Sequence, residues 1–374
     1  MRFGVLIITV IITIGCSKGK PETVPGSTTK NGSDPAEKKE VRDSDGPQTG
    51  TDKKVVNTGN VRMMINTGNL EGAREELDKK IEKDPKNASH YYNRGLVFQK
   101  SKNYSKAATD YSKALELKPN YERALYNRML CYEKSGEYAK ALDDSRLLLE
   151  KDSKNIKVLN YQGFIFEKMN KLKDAEASYT KALKIKPNYE EALNNRGFLY
   201  EKMKKFKKAI SDYQAAVKID PGMVKAKTNL ARLLAKTRKV DEALELLDDA
   251  IKRSPEYIKA YFNRGIIFFD KKEFEKAEQD FSVCIKNKYN SATSYYMRGI
   301  TRNLLKKYNE ALIDLSKAIE LNENYAKAWF SRSMTHFYLK QYKKAMDDLN
   351  KAKKLKYKGK DPRYEKALKK ALGG

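Results

Sequence analysis

Small and hydrophobic residues recur along the chain at three- and four-residue spacing, inside segments that repeat every 34 residues. In one such segment Tyr91 and Gly95 are followed by Ala107, Tyr111 and Ala114. Because side chains three and four residues apart lie on one face of an α-helix, this spacing predicts two amphipathic helices per segment. A helical hairpin of this size cannot bury its hydrophobic faces alone, so neighbouring segments must stack on one another.

Columns of small residues keep the 34-residue period. The strictest column is alanine at nine successive positions, namely Ala73, Ala107, Ala141, Ala175, Ala209, Ala243, Ala277, Ala311 and Ala345. A second column runs from Gly95 to Ser333 and is small except at Met129. Small side chains let two helices approach closely, and large side chains must then fill the space beside them. The large residues in that place are Tyr104, Tyr138, Phe206, Phe274, Tyr308 and Tyr342.

These columns, together with a proline that recurs near the end of the segment, resemble the tetratricopeptide repeat family. The resemblance implies an all-α solenoid that winds as a right-handed superhelix, with a concave groove lined mainly by the first helix of each pair. We expect the array over residues 59–357, with about eight full repeats from residue 88 and a partial repeat before them. Residues 358–374 are expected to form a capping helix and tail that start at Asp361-Pro362.

An arginine column precedes the second small column by one residue. Its members are Arg94, Arg128, Arg196, Arg264, Arg298 and Arg332, and each of these repeats also has an aspartate in one fixed column: Asp110, Asp144, Asp212, Asp280, Asp314 and Asp348. The two repeats without the arginine, which have Gln162 and Leu230, also lack the aspartate. Because an unpaired charge against a core is costly, this joint loss predicts Arg–Asp pairs between packed helices rather than a ladder that binds anions.

Candidate partner-binding residues lie on the predicted first helices. An asparagine column that includes Asn127 and Asn195 resembles the one that binds peptide backbone in peptide-binding members of the family. The carboxylate clamp of chaperone-docking members is incomplete, so binding of a chaperone's acidic carboxyl terminus is not predicted. The groove candidates are Tyr92, Tyr126, Asn127, Asn160, Asn194, Asn195, Phe262, Phe269, Tyr296, Phe330 and Phe337.

Two features of this face have competing interpretations. The aromatic residues, which concentrate in the carboxyl-terminal repeats, either anchor a partner or pack the helices together. A possible basic ladder either contacts an anionic partner or forms a solvated helix face, and we favour the solvated face. The ladder consists of Lys100, Lys134, Lys168, Lys202 and Lys236.

The amino terminus has the layout of a secretory signal peptide, with a basic start and a short apolar run to Ile14. Thr13-Ile14-Gly15-Cys16 resembles the lipobox of bacterial lipoproteins, which implies a signal peptide over residues 1–15 and a lipid on Cys16. Residues 16–58 are poor in apolar side chains and are expected to be a disordered tether. These features predict a protein of the bacterial cell envelope, on the periplasmic face or the cell surface. The alternatives are an unlipidated signal peptide or an uncleaved anchor.

The amino-acid composition further limits the functions that are possible for this chain. The formal net charge is +28, and two His, three Cys and one Trp leave little material for a metal or catalytic site, so we expect no enzyme activity, cofactor or metal. Export argues against nucleic acid as the partner, despite the charge. The sequence therefore predicts a lipid-anchored envelope scaffold that binds protein or peptide partners. The alternative is a binder of anionic envelope components, such as peptidoglycan, lipid headgroups or acidic polysaccharide.

Overall fold

The computed structural model describes residues 59–357, Gly359 and residues 362–373. The predicted signal peptide, the predicted tether and Cys16 lie outside these residues. The chain divides into two compact units between Pro221 and Gly222.

The first unit contains α1 (Gly59–Thr67), α2 (Leu70–Lys83), α3 (Ala88–Lys100), α4 (Tyr104–Leu117), α5 (Glu122–Lys134), α6 (Tyr138–Lys151), α7 (Ile156–Lys168), α8 (Leu172–Ile185), α9 (Glu190–Lys202) and α10 (Phe206–Ile219). The second unit contains α11 (Val224–Lys236), α12 (Val240–Arg253), α13 (Ile258–Asp270), α14 (Phe274–Lys286), α15 (Ser291–Leu304), α16 (Tyr308–Leu321), α17 (Ala326–Tyr338), α18 (Tyr342–Lys354) and α19 (Pro362–Ala371). Every regular element of the described residues is thus a helix, and the predicted all-α repeat fold is confirmed. None of these helices is long and apolar enough to cross a membrane.

The alanine column forms the centre of each helix pair. All nine alanines have no exposed surface. Five of the six large residues expected beside them are half-buried, but Phe206 is 46% exposed. The packing prediction is therefore correct for the column and wrong for Phe206.

The side chain that faces the second small column from the second helix limits the size of the residue in that column. A Cβ added to Gly95 would lie 2.6 Å from a ring carbon of Tyr111, and one added to Gly197 would lie 2.8 Å from Tyr213. Such distances are too short for any side chain, so a large ring on one helix requires glycine on the other. The exception is Met129, whose repeat has Ser145 in place of this tyrosine. In that repeat the large residue is on the first helix and the small residue is on the second.

Each turn between a first and a second helix contains one residue in the left-handed region of φ. In two of these turns it is a glycine, Gly68 with φ of 82° and Gly136 with φ of 80°. In the others φ lies between 58° and 65°, at Lys102, Asn170, Lys204, Arg238, Lys272, Lys306 and Lys340. A side chain in this region costs about 1–2 kcal/mol. Six turns therefore have a basic residue where the backbone would favour glycine.

The carboxyl-terminal helix α19 packs against the last repeat. Tyr364 and Leu368 are buried, and the hydroxyl of Tyr364 lies 2.5 Å from that of Ser333 on α17. The ring of Tyr364 also packs edge-on against Phe330 and Phe337. This helix therefore covers aromatic residues that would otherwise be accessible on α17.

Candidate partner-binding face

The arginine and aspartate columns form the predicted pairs. In all six repeats the guanidinium donates two hydrogen bonds to the two carboxylate oxygens of the aspartate, at 2.7–2.9 Å. The aspartates are only 1–7% exposed. Burial raises the pKa of Asp144, and the hydrogen bonds from Arg128 oppose that shift. The arginines are therefore structural, as the sequence predicts.

Each arginine also reaches back to the second helix of the preceding repeat. Arg94 Nη1 donates to Asp78 at 2.8 Å, Arg196 Nη1 to Thr180 at 3.2 Å, and corresponding bonds occur in the other four repeats. The guanidinium thus joins three helices with one side chain. This contact between repeats is not evident from the paired columns alone.

The repeat without arginine in the first unit keeps a neutral version of the same contact. Gln162 donates to Ser145 of the preceding repeat and accepts from Ser178 of its own, both at 3.2 Å. In the second unit Leu230 is 3% exposed, so this place is apolar. Both exceptions avoid leaving a lone charge in the core.

Successive first helices contact one another through side chains about one repeat apart, and these contacts define the inner face of each unit. In the first unit, Asn127 Nδ2 donates to the hydroxyl of Tyr92 at 3.2 Å. Lys202 Nζ lies 2.6 Å from Glu167, and Glu167 itself is only 6% exposed. The inner face of the first unit is therefore polar and internally bonded.

Three predicted asparagines of the first unit form one network. Asn194 donates to Asn195 at 3.4 Å, and Asn195 donates to Asn160 at 3.1 Å. Asn160 and Asn194 are 8% and 9% exposed. The structure thus brings these three candidates together, and part of their hydrogen-bonding capacity stabilises the face itself.

The two predicted tyrosines of the first unit are half-buried. Tyr92 packs on Tyr111 and Tyr121, with ring centroids 5.7 and 4.8 Å apart. Tyr126 packs edge-on against Tyr161 at 6.2 Å, and burial raises its pKa. Both rings therefore pack on neighbouring tyrosines.

The lysine ladder occupies the last residue of each first helix from α3 to α11, and all five side chains are exposed. Lys202 pairs with Glu167, Lys134 lies 3.9 Å from Glu133, and Lys168 lies over the ring of Phe164. Lys236 belongs to the second unit, and the other four belong to the first. The ladder as predicted thus divides between two units.

The predicted aromatic anchors of the second unit are mostly packing residues. Tyr296 and Phe330 are each 6% exposed and belong to the hydrophobic core, so neither presents a free face to a partner. Phe262 packs edge-on against Phe281 and Tyr289. The prediction that Tyr296 and Phe330 contact a ligand is therefore corrected, because both side chains are buried, whereas Phe262 is half-buried.

The remaining two aromatic candidates are half-buried. Phe269 packs edge-on against Phe274, with ring centroids 5.8 Å apart. Phe337 contacts Tyr342 and, from α19, Tyr364. Both rings therefore support the helix packing of the second unit.

Models of the tetratricopeptide repeat match residues 88–121, 190–223, 228–288, 292–325 and 326–358, and a further TPR repeat model matches residues 163–204. Together these ranges cover more than half of the chain. The chain is a tetratricopeptide repeat protein.

Solved TPR structures are similar to this one at low sequence identity. A tetratricopeptide repeat protein from Parabacteroides merdae is 20% identical with a TM-score of 0.51, over 66% of this chain and 98% of that one. The APC/C hetero-tetramer Cut9-Hcn1 matches at 17% identity and a TM-score of 0.55, over 81% of this chain and 59% of that one. These likenesses show the fold alone. No curated protein sequence matches the chain.

One exposed aromatic residue on the inner face of the first unit of this TPR protein is absent from the predicted set. Phe198 on α9 is 37% exposed, and Lys202 Nζ lies 5.2 Å from its ring centroid. Asn194, Phe198 and Lys202 are four residues apart and therefore form one stripe along α9. The four-residue spacing of these residues is visible in the sequence, but only the structure shows that the ring of Phe198 is exposed.

The described part of the array holds no group of three or more His, Cys, Asp or Glu side chains arranged to bind a metal ion. The two cysteines that it contains are buried, and burial raises the pKa of Cys131 and of Cys284 to about 12. They are buried thiols, as the sequence predicts.

Proposed function

We propose that this protein is a lipid-anchored scaffold of the bacterial cell envelope that binds protein or peptide partners through the inner face of its first unit. TPR proteins commonly bind such partners, and the inner face offers an exposed ring beside polar and basic groups. The lipobox-like Thr13-Ile14-Gly15-Cys16 supports the anchor and the location.

The observation that carries the binding face is the stripe on α9. Phe198 supplies exposed apolar area, Lys202 supplies positive charge at the end of the helix, and Asn194 supplies an amide beneath them. The same order occurs one repeat earlier on α7, at Asn160, Phe164 and Lys168. We therefore infer an extended partner segment whose apolar side chains contact the phenylalanines and whose acidic side chains face the lysines.

The test replaces Phe198 with Ala and compares it with Ile185→Ala. Ile185 is 40% exposed, close to the value for Phe198, but it ends the second helix α8. We first identify the partner by photocrosslinking from position 198 in intact envelopes, and then measure its affinity for each purified variant. Phe198→Ala should weaken binding by about 1–2 kcal/mol with an unchanged Tm, and Ile185→Ala should have no effect. Equal affinities for both variants would exclude this face.

The anchor has a separate test. Cys16→Ala should release the protein from membranes or leave the precursor uncleaved, as measured by fractionation and intact mass. A processed Cys16→Ala protein that still partitions into detergent would contradict lipidation at this residue.

A further inference from the structure

The two edges of the first unit differ in charge. Turns between the first and second helices of its four full repeats form one edge, which we name the A–B edge: residues 100–106, 134–140, 168–174 and 202–208. These turns contain 13 lysines and two acidic residues, for a net charge of +11. The opposite edge consists of segments of equal length between repeats: 83–89, 117–123, 151–157 and 185–191. These segments contain eight basic and five acidic residues, for a net charge of +3.

Contacts between repeats place neighbouring turns of the A–B edge side by side. From the turn at 202–208, Lys202 reaches Glu167 at 2.6 Å and Lys205 reaches Glu176 at 2.9 Å, and both glutamates belong to the preceding repeat. The positive charges of successive turns therefore add along one edge instead of being scattered over the unit.

Most of this charge is available to a partner. Twelve of the 13 lysines are exposed. Within the described residues, only four of the 13 form an ion pair, and nine have no carboxylate at ion-pair distance. These nine are Lys100, Lys102, Lys106, Lys168, Lys171, Lys173, Lys204, Lys207 and Lys208. The edge contains no arginine. Lysine is a hydrated point charge, whereas arginine forms the bidentate contacts of specific phosphate recognition, so the edge suits a diffuse anionic surface.

Two of these lysines occupy strained backbone positions. Lys102 and Lys204 have φ of 60° and 58°, and Gly136 fills the same place in another repeat without a side chain. The fold therefore does not require lysine in this turn. Lysine at these two positions therefore adds positive charge to the edge at a cost in backbone strain.

An exposed aromatic ring lies in the most basic turn. Residues 202–208 contain five lysines and Phe206, which is 46% exposed between Lys205 and Lys207. Exposed phenylalanine among lysines is the combination that interfacial membrane-binding segments use, because the ring enters the headgroup region while the lysines stay at its surface. A soluble polyanion would contact the lysines but would gain little from the ring.

We propose that the A–B edge of the first unit docks on a membrane surface rich in anionic phospholipid, with Phe206 in the headgroup region. The choice of a membrane rests on the proposed envelope location, but the docking does not require lipid on Cys16. Docking would hold the edge against the bilayer, and Lys168 and Lys202, which belong both to this edge and to the stripes on α7 and α9, would lie where the two surfaces meet.

The test uses the full chain with Cys16→Ala, so that lipidation contributes nothing. One variant combines Lys204→Gln, Phe206→Ser and Lys207→Gln. The matched control combines Lys184→Gln, Ile185→Ser and Lys186→Gln, which removes the same charge and an isoleucine that is 40% exposed on the opposite edge. Binding is measured on vesicles of phosphatidylcholine with and without phosphatidylglycerol. The pure phosphatidylcholine vesicles report any affinity of the amino-terminal apolar run.

We expect the A–B edge variant to bind phosphatidylglycerol vesicles at least about tenfold more weakly, and the control variant to bind within about twofold of the parent. The tenfold difference should shrink in high salt, since screening weakens the lysine contribution. Equal losses in both variants would overturn the proposal. A loss from Lys204→Gln with Lys207→Gln, together with no loss from Phe206→Ser alone, would also overturn it, because the edge would then bind surface charge without placing the ring in the headgroup region.

The Lys204→Gly variant tests whether Lys204 affects membrane binding independently of its effect on the stability of the fold. This change removes one positive charge and also the Cβ that the left-handed region disfavours. We expect weaker binding to phosphatidylglycerol vesicles, by about fivefold, with a Tm that does not fall. Unchanged binding together with a higher Tm would mean that the lysine has no part in docking. Failure of these tests leaves the lipid anchor and the partner-binding face untouched, because neither enters the measurement.

Discussion

The same repeat position has different surroundings in the two units of this TPR protein. On α9 of the first unit, Asn194 lies beside Phe198, which is 37% exposed. On α17 of the second unit, the corresponding Phe330 and Met334 are 6% and 8% exposed. Phe330 is covered by Tyr357, whose ring stacks 4.6 Å away, and by Tyr364 of α19. Position in the repeat therefore places a residue on a face, but its neighbours decide whether it is accessible.

The strongest test of this difference replaces equivalent tyrosines. Tyr296→Ala in the second unit should lower the free energy of unfolding by about 3–5 kcal/mol, because it empties a filled core site. Tyr126→Ala in the first unit, where the ring is half-buried, should cost about 2 kcal/mol. Urea unfolding followed by circular dichroism measures both. Equal costs would mean that the burial of Tyr296 does not distinguish the two units.

The paired charges offer a second test, because the second unit already contains their apolar replacement. Arg196→Leu in the first unit should cost about 3 kcal/mol, since it leaves Asp212 buried and unpaired. Arg196→Leu with Asp212→Leu, which copies Leu230 and Leu246, should recover most of the loss. Thermal unfolding checks this. A double variant less stable than the single one would show that the first unit cannot accept the apolar version.

A third test changes the close contact between two helices of one repeat, and we expect a smaller loss of stability. Gly197→Ala would place Cβ 2.8 Å from Tyr213 and should cost about 1–2 kcal/mol through overpacking. The second unit has Ala231 with Leu247 in these places. Adding Tyr213→Leu to Gly197→Ala should therefore restore part of the stability measured in urea. No loss from Gly197→Ala alone would mean that the tyrosine ring shifts without cost.

The two units should not differ in the reactivity of their thiols. Because burial raises the pKa of both Cys131 and Cys284 to about 12, both thiols should stay protonated at pH 8. Native protein treated with iodoacetamide at pH 8 should remain unmodified at both residues, as measured by peptide mapping. Urea should expose both. Rapid native labelling of one cysteine would identify the unit that opens locally.

The fold could be predicted from the sequence because each repeat provides an independent copy of the same constraint. Nine alanines in phase specify a close helix contact nine times, and the joint loss of Arg and Asp in two repeats identifies a pair before any distance is known. Such comparisons inside one chain remove the need for other sequences. Comparing the repeats with one another predicts the contacts within each repeat and between neighbouring repeats.

The candidate binding face could be predicted only in part. Asn160, Asn194 and Asn195 do lie together, because their spacing places them on adjacent first helices. Tyr296 and Phe330 of the second unit are buried, and the prediction is wrong for these two because exposure depends on what covers a ring. That cover comes from residues such as Tyr289, which replaces the recurrent proline, and Tyr364, which follows the last repeat. The 34-residue pattern therefore does not predict which rings are covered.

The backward hydrogen bond of each arginine has a consequence for how such an array can grow. The acceptor on the preceding second helix is always a small polar or acidic side chain, namely Asp78, Ser112, Thr180, Asp248, Ser282 or Ser316. A duplicated 34-residue module that carries the arginine, its aspartate and one such acceptor is compatible with copies of itself on both sides. Gene duplication within either unit would therefore lengthen the solenoid without redesign of the junction.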